Sequence, residues 1–161
     1  MTLAVVVLAA VTAQRLGELI LAARNTRRLI AQGAYEVGAA HYPLLIVLHG
    51  AWLVCLWTFG WNRAVDLSWL AVFVGLQALR VWVIATLGLR WTTRIIVLPG
   101  APLVGGGPYR LLNHPNYAVV VAEIAVVPLT FGLPVIAGVF SILNAGVLWV
   151  RIRAESRALR P

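Results

Sequence analysis

The chain has 161 residues, 61% of them hydrophobic and only 11% charged, with a mean hydropathy of +0.91. That is more apolar than a soluble core requires, so a soluble domain is excluded and a membrane protein is expected. The formal charge is +8 and no lysine is present; the arginines gather beside apolar runs and nowhere form a soluble basic face, which excludes a nucleic-acid partner.

A run of about 20 apolar residues crosses the hydrocarbon layer. The first such run is 3–23. No basic residue precedes it, and Gln14, Arg15 and Glu18 interrupt it, so it reads as a retained helix and not as a cleaved signal. The second is 42–60. It carries His49 and the single cysteine, Cys55, which leaves no disulfide framework or cysteine metal site; His41 and His49 read as interface or packing residues, since two histidines make a weak metal site. The third is 69–87, which carries Arg80. Residues 117–150 are too long for one span, and Pro128, Gly132 and Pro134 divide them into helices over 117–131 and 134–150 that form a short hairpin. The expectation is an all-α integral membrane protein of five transmembrane helices in one domain, 1–161.

Arginines 24, 27 and 28 follow the first span, 90, 94 and 110 the third, and 151, 153, 157 and 160 the last, whereas Arg63 is offset by Asp66 after the second. Five helices put every arginine-rich segment on one side, and the positive-inside rule makes that side cytoplasmic. The loop 88–116 and the segments 24–41 and 151–161 are therefore expected in the cytoplasm.

Four charged residues, Arg15, Glu18, Arg80 and Glu123, fall inside predicted spans, where each costs roughly 2.5–3.5 kcal/mol unless paired or hydrated. Two readings stand. One is a pair of structural ion pairs, Arg15 with Glu18 and Arg80 with Glu123; the other is a polar cavity open to the cytoplasm. In the second, Glu123 shares a helix face with Asn116, Val119 and Val120 and touches the acceptor end of the cavity.

The stretch GGGPYRLLNHPNY at 105–117 is a polar hinge before an apolar helix. Its glycines free the backbone, while Pro108 and Pro115 interrupt regular helix. A helix that begins near Pro115 leaves free N–H groups beside His114 and Tyr117, a setting that suits a carboxylate or other anionic group.

The wording of this segment is more specific than its composition. Leu87-Gly88, Trp91, Gly107-Pro108-Tyr109-Arg110 and His114-Pro115-Asn116-Tyr117, followed by Arg151-Ile152-Arg153-Ala154-Glu155, resemble the isoprenylcysteine carboxyl methyltransferase family of integral-membrane enzymes. Arg15-Leu16-Gly17-Glu18-Leu19, Arg24-Asn25, Glu36-Val37-Gly38 and His41-Tyr42 look like its short bacterial branch, whose members methylate alkylpyrone or alkylresorcinol-like lipids. The resemblance implies S-adenosyl-L-methionine as the methyl donor, a lipophilic small-molecule acceptor, and residence in a bacterial inner membrane among its lipids with the active site facing the cytoplasm. It also implies cofactor contacts from Tyr109, His114, Pro115, Tyr117 and Glu155. Asn113 stands where the family usually has arginine, and Glu155-Ser156 where it usually has two glutamates.

Methyl transfer from a sulfonium is an in-line displacement that needs positioning and no metal. An ionised carboxylate acceptor needs no base, whereas a phenol near pKa ~10 gains from one. Glu123 is the candidate base or orienter, and Arg94 the candidate group that attracts an anionic acceptor, against an ordinary interfacial anchor. The competing classes are a membrane reductase using NADPH and a non-catalytic membrane subunit whose charges pair with those of a partner.

Overall fold

The computed structural model describes residues 2–159; Arg160 lies outside them. Its helices are α1 Leu3–Ala31, α2 Tyr42–Gly60, α3 Leu67–Leu87, α4 Pro115–Thr130 and α5 Pro134–Leu159. Four of them, α1, α2, α3 and α5, are long and apolar enough to cross a membrane. The fifth, α4, has 16 residues, about 24 Å at ~1.5 Å per residue, which falls short of a hydrocarbon layer of roughly 30 Å.

Two helices run past their expected ends. The first continues eight residues beyond Ala23, because arginine is a good helix former, Arg28 in the last turn complements the helix dipole, and no breaker arrives before Gly33. The last helix likewise carries Arg151, Arg153 and Glu155 on a continuous α5 instead of a separate tail. At the start of α3, Asp66 accepts from the backbone N–H groups of Ser68 and Trp69 at 2.8 and 3.3 Å, which sets the boundary at Leu67.

The hairpin between α4 and α5 turns at Gly132, whose φ of +64° suits glycine. The N–H of Leu133 bonds the carbonyl of Pro128, and that of Gly132 the carbonyl of Leu129, both at 3.0 Å, a Schellman closure. Pro128 thus stays inside the last turn of α4; it does not divide the two helices. Pro134 opens α5, where its missing N–H costs nothing.

Two three-residue strands depart from the all-helical expectation. In an antiparallel ribbon β1 (Tyr35–Val37) pairs with β2 (Ile95–Val97), Glu36 opposite Ile96. The ribbon ties the segment after α1 to the long loop after α3.

The core is apolar: Leu8, Val11, Trp52, Leu56, Ile124, Val127 and Phe131 are all buried. Its outside is apolar too. Ile20, Val47, Val54, Val74, Val81 and Ile142 are exposed around the bundle, a liability in water and a fit to acyl chains.

Candidate active site

A cavity of about 860 Å³ runs from the loops and the N-terminal turn of α4 down to Arg15, His49 and Arg80 in the helical bundle. Tyr109, Arg94, His114, Asn116, Tyr117, Arg151 and Glu155 line its loop end; Trp52, Leu53 and Val120 line its middle. The geometry thus joins a polar mouth, an apolar middle and a charged floor.

The mouth is organised by the start of α4. Pro115 occupies the first helical position and the N–H of Ala118 bonds the carbonyl of His114 at 3.1 Å. The His114 side chain makes no capping bond. Its ring instead stacks on Tyr117, centroids 5.4 Å apart and planes 25° from parallel. The Tyr117 hydroxyl donates to Glu155 Oε2 at 2.8 Å, and His114 Nδ1 lies 3.7 Å from the same oxygen. His114 and Tyr117 therefore form one cluster with Glu155 of α5, which lies 38 positions or more from them in the sequence. Pro115 is buried and absent from the cavity wall; it starts the helix that presents the others.

Tyr109 reaches the cavity because Gly107 lets its turn settle on α3. Gly107 has φ +53°, and a Cβ there would lie 2.4 Å from Thr86 Oγ1 and 3.2 Å from Trp82 Nε1, so both the conformation and the space require glycine. Burial, and then the charge of Glu155, push the Tyr109 hydroxyl up to about 12, so it stands as a neutral donor.

Arg151, which sequence reasoning used for topology and family wording but did not assign to the site, belongs to this cluster. It is buried, its Nη2 donates to the Thr93 carbonyl at 2.8 Å, and its guanidinium lies 6.0 Å over the Tyr117 ring. Its buried Nε has no partner among the described residues. Trp91 and Asn116 were also missed; Trp91 Nε1 donates to Asn116 Oδ1 at 3.3 Å, and the Trp91 carbonyl accepts from buried Asn25 at 2.8 Å. The family wording around 91 and 116 was the available signal.

Arg94 lines the cavity with its charge already shared. Its Nη1 donates to both carboxylate oxygens of Glu36 at 2.9 and 2.8 Å, and its guanidinium lies 4.2 Å over Tyr42. Those contacts fasten the ribbon at the side of the mouth.

At the floor, both expected ion pairs exist but merge. Glu18 accepts from Arg15 and Gln14, each at 2.9 Å, and lies 3.3 Å from Arg80 Nε. Glu123 accepts from Arg15 at 2.6 Å, from Gln77 at 2.9 Å, and from Arg80 through both Nε and Nη2. Two arginines and two glutamates from α1, α3 and α4 thus form one electroneutral cluster. Glu123 is fully buried and does not line the cavity. The expectation that it touches the acceptor end is corrected on that point: the side chains of Arg15 and Arg80 reach the wall, and Glu123 is their counter-ion behind it.

The wall also includes His49, which the sequence assigned to packing. A signal was present, since His49 lies three residues before the fully buried Trp52 and shares its inward face. His41 instead packs its ring against Gly38, closing the turn that begins α2.

The sequence model of the Isoprenylcysteine carboxyl methyltransferase (ICMT) family matches residues 69–161, the part of the chain that supplies α3, the long loop, α4 and α5. Over 152 residues the chain is 41% identical to the Bacillus subtilis (strain 168) protein described as "Uncharacterized protein YpbQ", covering 91% of this chain and 90% of that one. No solved structure matches it. With the GPYR turn, the His114–Tyr117–Glu155 cluster and the cavity all inside or against the matched segment, the chain belongs to the isoprenylcysteine carboxyl methyltransferase family and is a membrane methyltransferase.

Proposed function

We propose that this protein transfers a methyl group from S-adenosyl-L-methionine to a carboxylate or hydroxyl oxygen of a lipid-like small molecule. The observation that carries the reading is a continuous cavity whose mouth is polar and aromatic and whose interior lies among the apolar helices. A donor from water and an acceptor from the bilayer meet in such a space.

The residues at the mouth fit the donor. Arg151 lines the mouth and brings a guanidinium charge suited to a carboxylate. Glu155 offers a charge to an ammonium, and the stacked His114 and Tyr117 rings offer a face to a purine. Tyr109 supplies a neutral hydroxyl beside them. When bound, S-adenosyl-L-methionine supplies a methyl carbon activated by its sulfonium. The protein's task is then to hold the acceptor oxygen in line, keep water out through Trp91, Trp52 and Leu53, and neutralise charge at the floor. Arg94, half-committed to Glu36, draws an anionic head group toward the mouth, and Glu123 orients the two arginines of the wall.

In this proposal all five helices lie in the bilayer of a bacterial inner membrane and the whole of 1–161 works as one unit. The short α4 is accommodated by local thinning of the bilayer around the α4–α5 hairpin. The arginine-rich segments and the cavity mouth face the cytoplasm, where the donor is found. Isothermal titration of the detergent-purified protein tests the reading. Saturable binding of S-adenosylhomocysteine with none of NADPH is expected; binding of NADPH alone would replace it with the reductase, and binding of neither with the non-catalytic subunit.

A further inference from the structure

We propose that His49 is the residue that receives the proton of a hydroxyl acceptor, with the acceptor oxygen held between His49 Nε2 and the free edge of Arg80 at the floor of the cavity. The inference rests on the methyltransferase reading above and assigns the acceptor end of its site to α2, a helix outside the family-matched segment 69–161.

The tautomer follows from geometry. His49 Nδ1 lies 2.9 Å from the carbonyl oxygen of Leu45 one turn earlier, and a carbonyl only accepts, so Nδ1 carries the hydrogen. In the neutral ring Nε2 is then a lone pair. It has no hydrogen-bond partner among the described residues, and it is not one of the atoms sealed inside the protein. His49 lines the cavity, so that lone pair opens onto it.

Arg80 supplies the complementary group. Its Nε and Nη2 are spent on Glu123, with Glu18 close to Nε, whereas Nη1 makes no hydrogen bond among the described residues and is likewise not sealed. Arg80 is 3% exposed and also lines the cavity. Arg15 and Glu123 complete the charged surroundings of His49, and Glu18 faces the same space. Glu123 itself cannot serve as the base: it is fully buried, it accepts from three side chains and it is off the cavity wall. The depth is suitable. His49 is seven residues into α2 from Tyr42, about 10 Å below the mouth at ~1.5 Å per residue, within the reach of a donor anchored at Tyr117 and Glu155.

A lone pair beside an N–H edge suits a group that both donates and accepts. A hydroxyl gives its hydrogen to Nε2 and takes one from Arg80, whereas an ionised carboxylate turns lone pairs toward Nε2. In the transfer step the O–H bond breaks toward Nε2 while the acceptor oxygen bonds the methyl carbon. The electron pair of the broken carbon–sulfur bond stays on sulfur, and the imidazolium returns its proton to water.

The test compares wild type with His49→Gln and His49→Phe in nanodiscs, using a long-chain alkylphenol and its dinitro derivative, a nitrophenol already ionised at neutral pH. Glutamine keeps an acceptor but cannot take a proton. His49→Gln should lower kcat on the alkylphenol by about 10²-fold or more and leave the nitrophenol within a few fold, a difference that a merely structural lesion would not produce. Binding gives a readout apart from turnover: with S-adenosylhomocysteine bound, alkylphenol affinity followed by tryptophan fluorescence should weaken about 3- to 10-fold in His49→Phe. Equal losses on both phenols, unchanged kcat in His49→Gln, or no transfer to either phenol by a wild type that binds S-adenosylhomocysteine would overturn the assignment. Failure of the wild type to bind S-adenosylhomocysteine would instead overturn the methyltransferase reading beneath it.

Discussion

Changing Glu123 to glutamine keeps its shape and removes one charge from the floor cluster. The cluster then holds Arg15 and Arg80 against Glu18 alone, a net charge of +1 in a site where Glu123 is fully buried and Arg80 is 3% exposed. Breaking a buried pair by neutralising one partner costs about 3–5 kcal/mol, because the other charge stays desolvated. For a chain of this size each kcal/mol lowers Tm by roughly 2–4 °C, so a fall of about 10 °C is expected. The lone cysteine, Cys55, is partly buried in α2, and a thiol-reactive dye therefore reports unfolding directly. Adding Arg80→Met restores electroneutrality through Arg15 and Glu18 and should recover most of the loss. S-adenosylhomocysteine affinity at 20 °C should remain within about twofold in both variants. A Glu123→Gln protein that melts within about 2 °C of wild type, or a double variant no more stable than the single, would refute the view of Glu123 as counter-ion.

Two further outcomes are expected. Glu155→Gln should weaken S-adenosylhomocysteine binding about ten- to a hundredfold, since it removes a charged hydrogen bond worth roughly 1.5–3 kcal/mol, and His114→Ala about two- to tenfold, since it removes one ring of the stacked pair, worth roughly 0.5–1.5 kcal/mol, both with little change in Tm; unchanged affinity in both by calorimetry would take these residues out of the donor pocket. In a Cys55→Ala background, single cysteines at positions 63 and 110 should label from opposite sides of the membrane, 110 from the cytoplasm, and labelling of both from one side would break the five-span topology.

Hydropathy made the helix interiors legible, because crossing a hydrocarbon layer demands long apolar runs whatever the tertiary contacts. Their ends were less so. Arg24, Arg27 and Arg28 read as the close of a span, yet they continue α1 as far as Ala31 because nothing local forbids helix. The β1–β2 ribbon was invisible, since three-residue strands take their stability from each other and from the Glu36–Arg94 contact across 58 residues. The hinge was legible through the wording of GPYR and HPNY. Arg151 was not, because its place beside Tyr117 depends on how α5 packs on α4. The ion pairs were half legible: the spacing of three between Arg15 and Glu18 fixes a local pair, but only the fold brings Arg15 to Glu123, 108 residues away. Glu123 does follow Asn116 and Val120 along α4, as spacing suggested. Asn116 and Val120 line the cavity, while Glu123, one turn deeper, passes behind the arginine side chains.

That placement explains why an apolar bundle retains so costly a cluster. Apolar contacts alone do not fix one membrane helix against another, since lipid competes equally for the same surface. The Arg15 side chain joins α1 to α4, and Arg80 joins α3 to both. The cluster therefore sets the register of α1 against the family core, and with it the wall on which His49 and Trp52 of α2 close the cavity. The mouth, built from residues 107–117 and 151–155, is a feature of the family segment, whereas the floor is completed by α1 and α2, which lie outside it. On the proposed function, a division of this kind lets the donor end stay constant while changes at positions such as 49 and 52 alter which acceptor oxygen is accepted. The electroneutral cluster makes those changes tolerable, because the charges that anchor the helices are paired with each other and do not depend on the acceptor for neutrality.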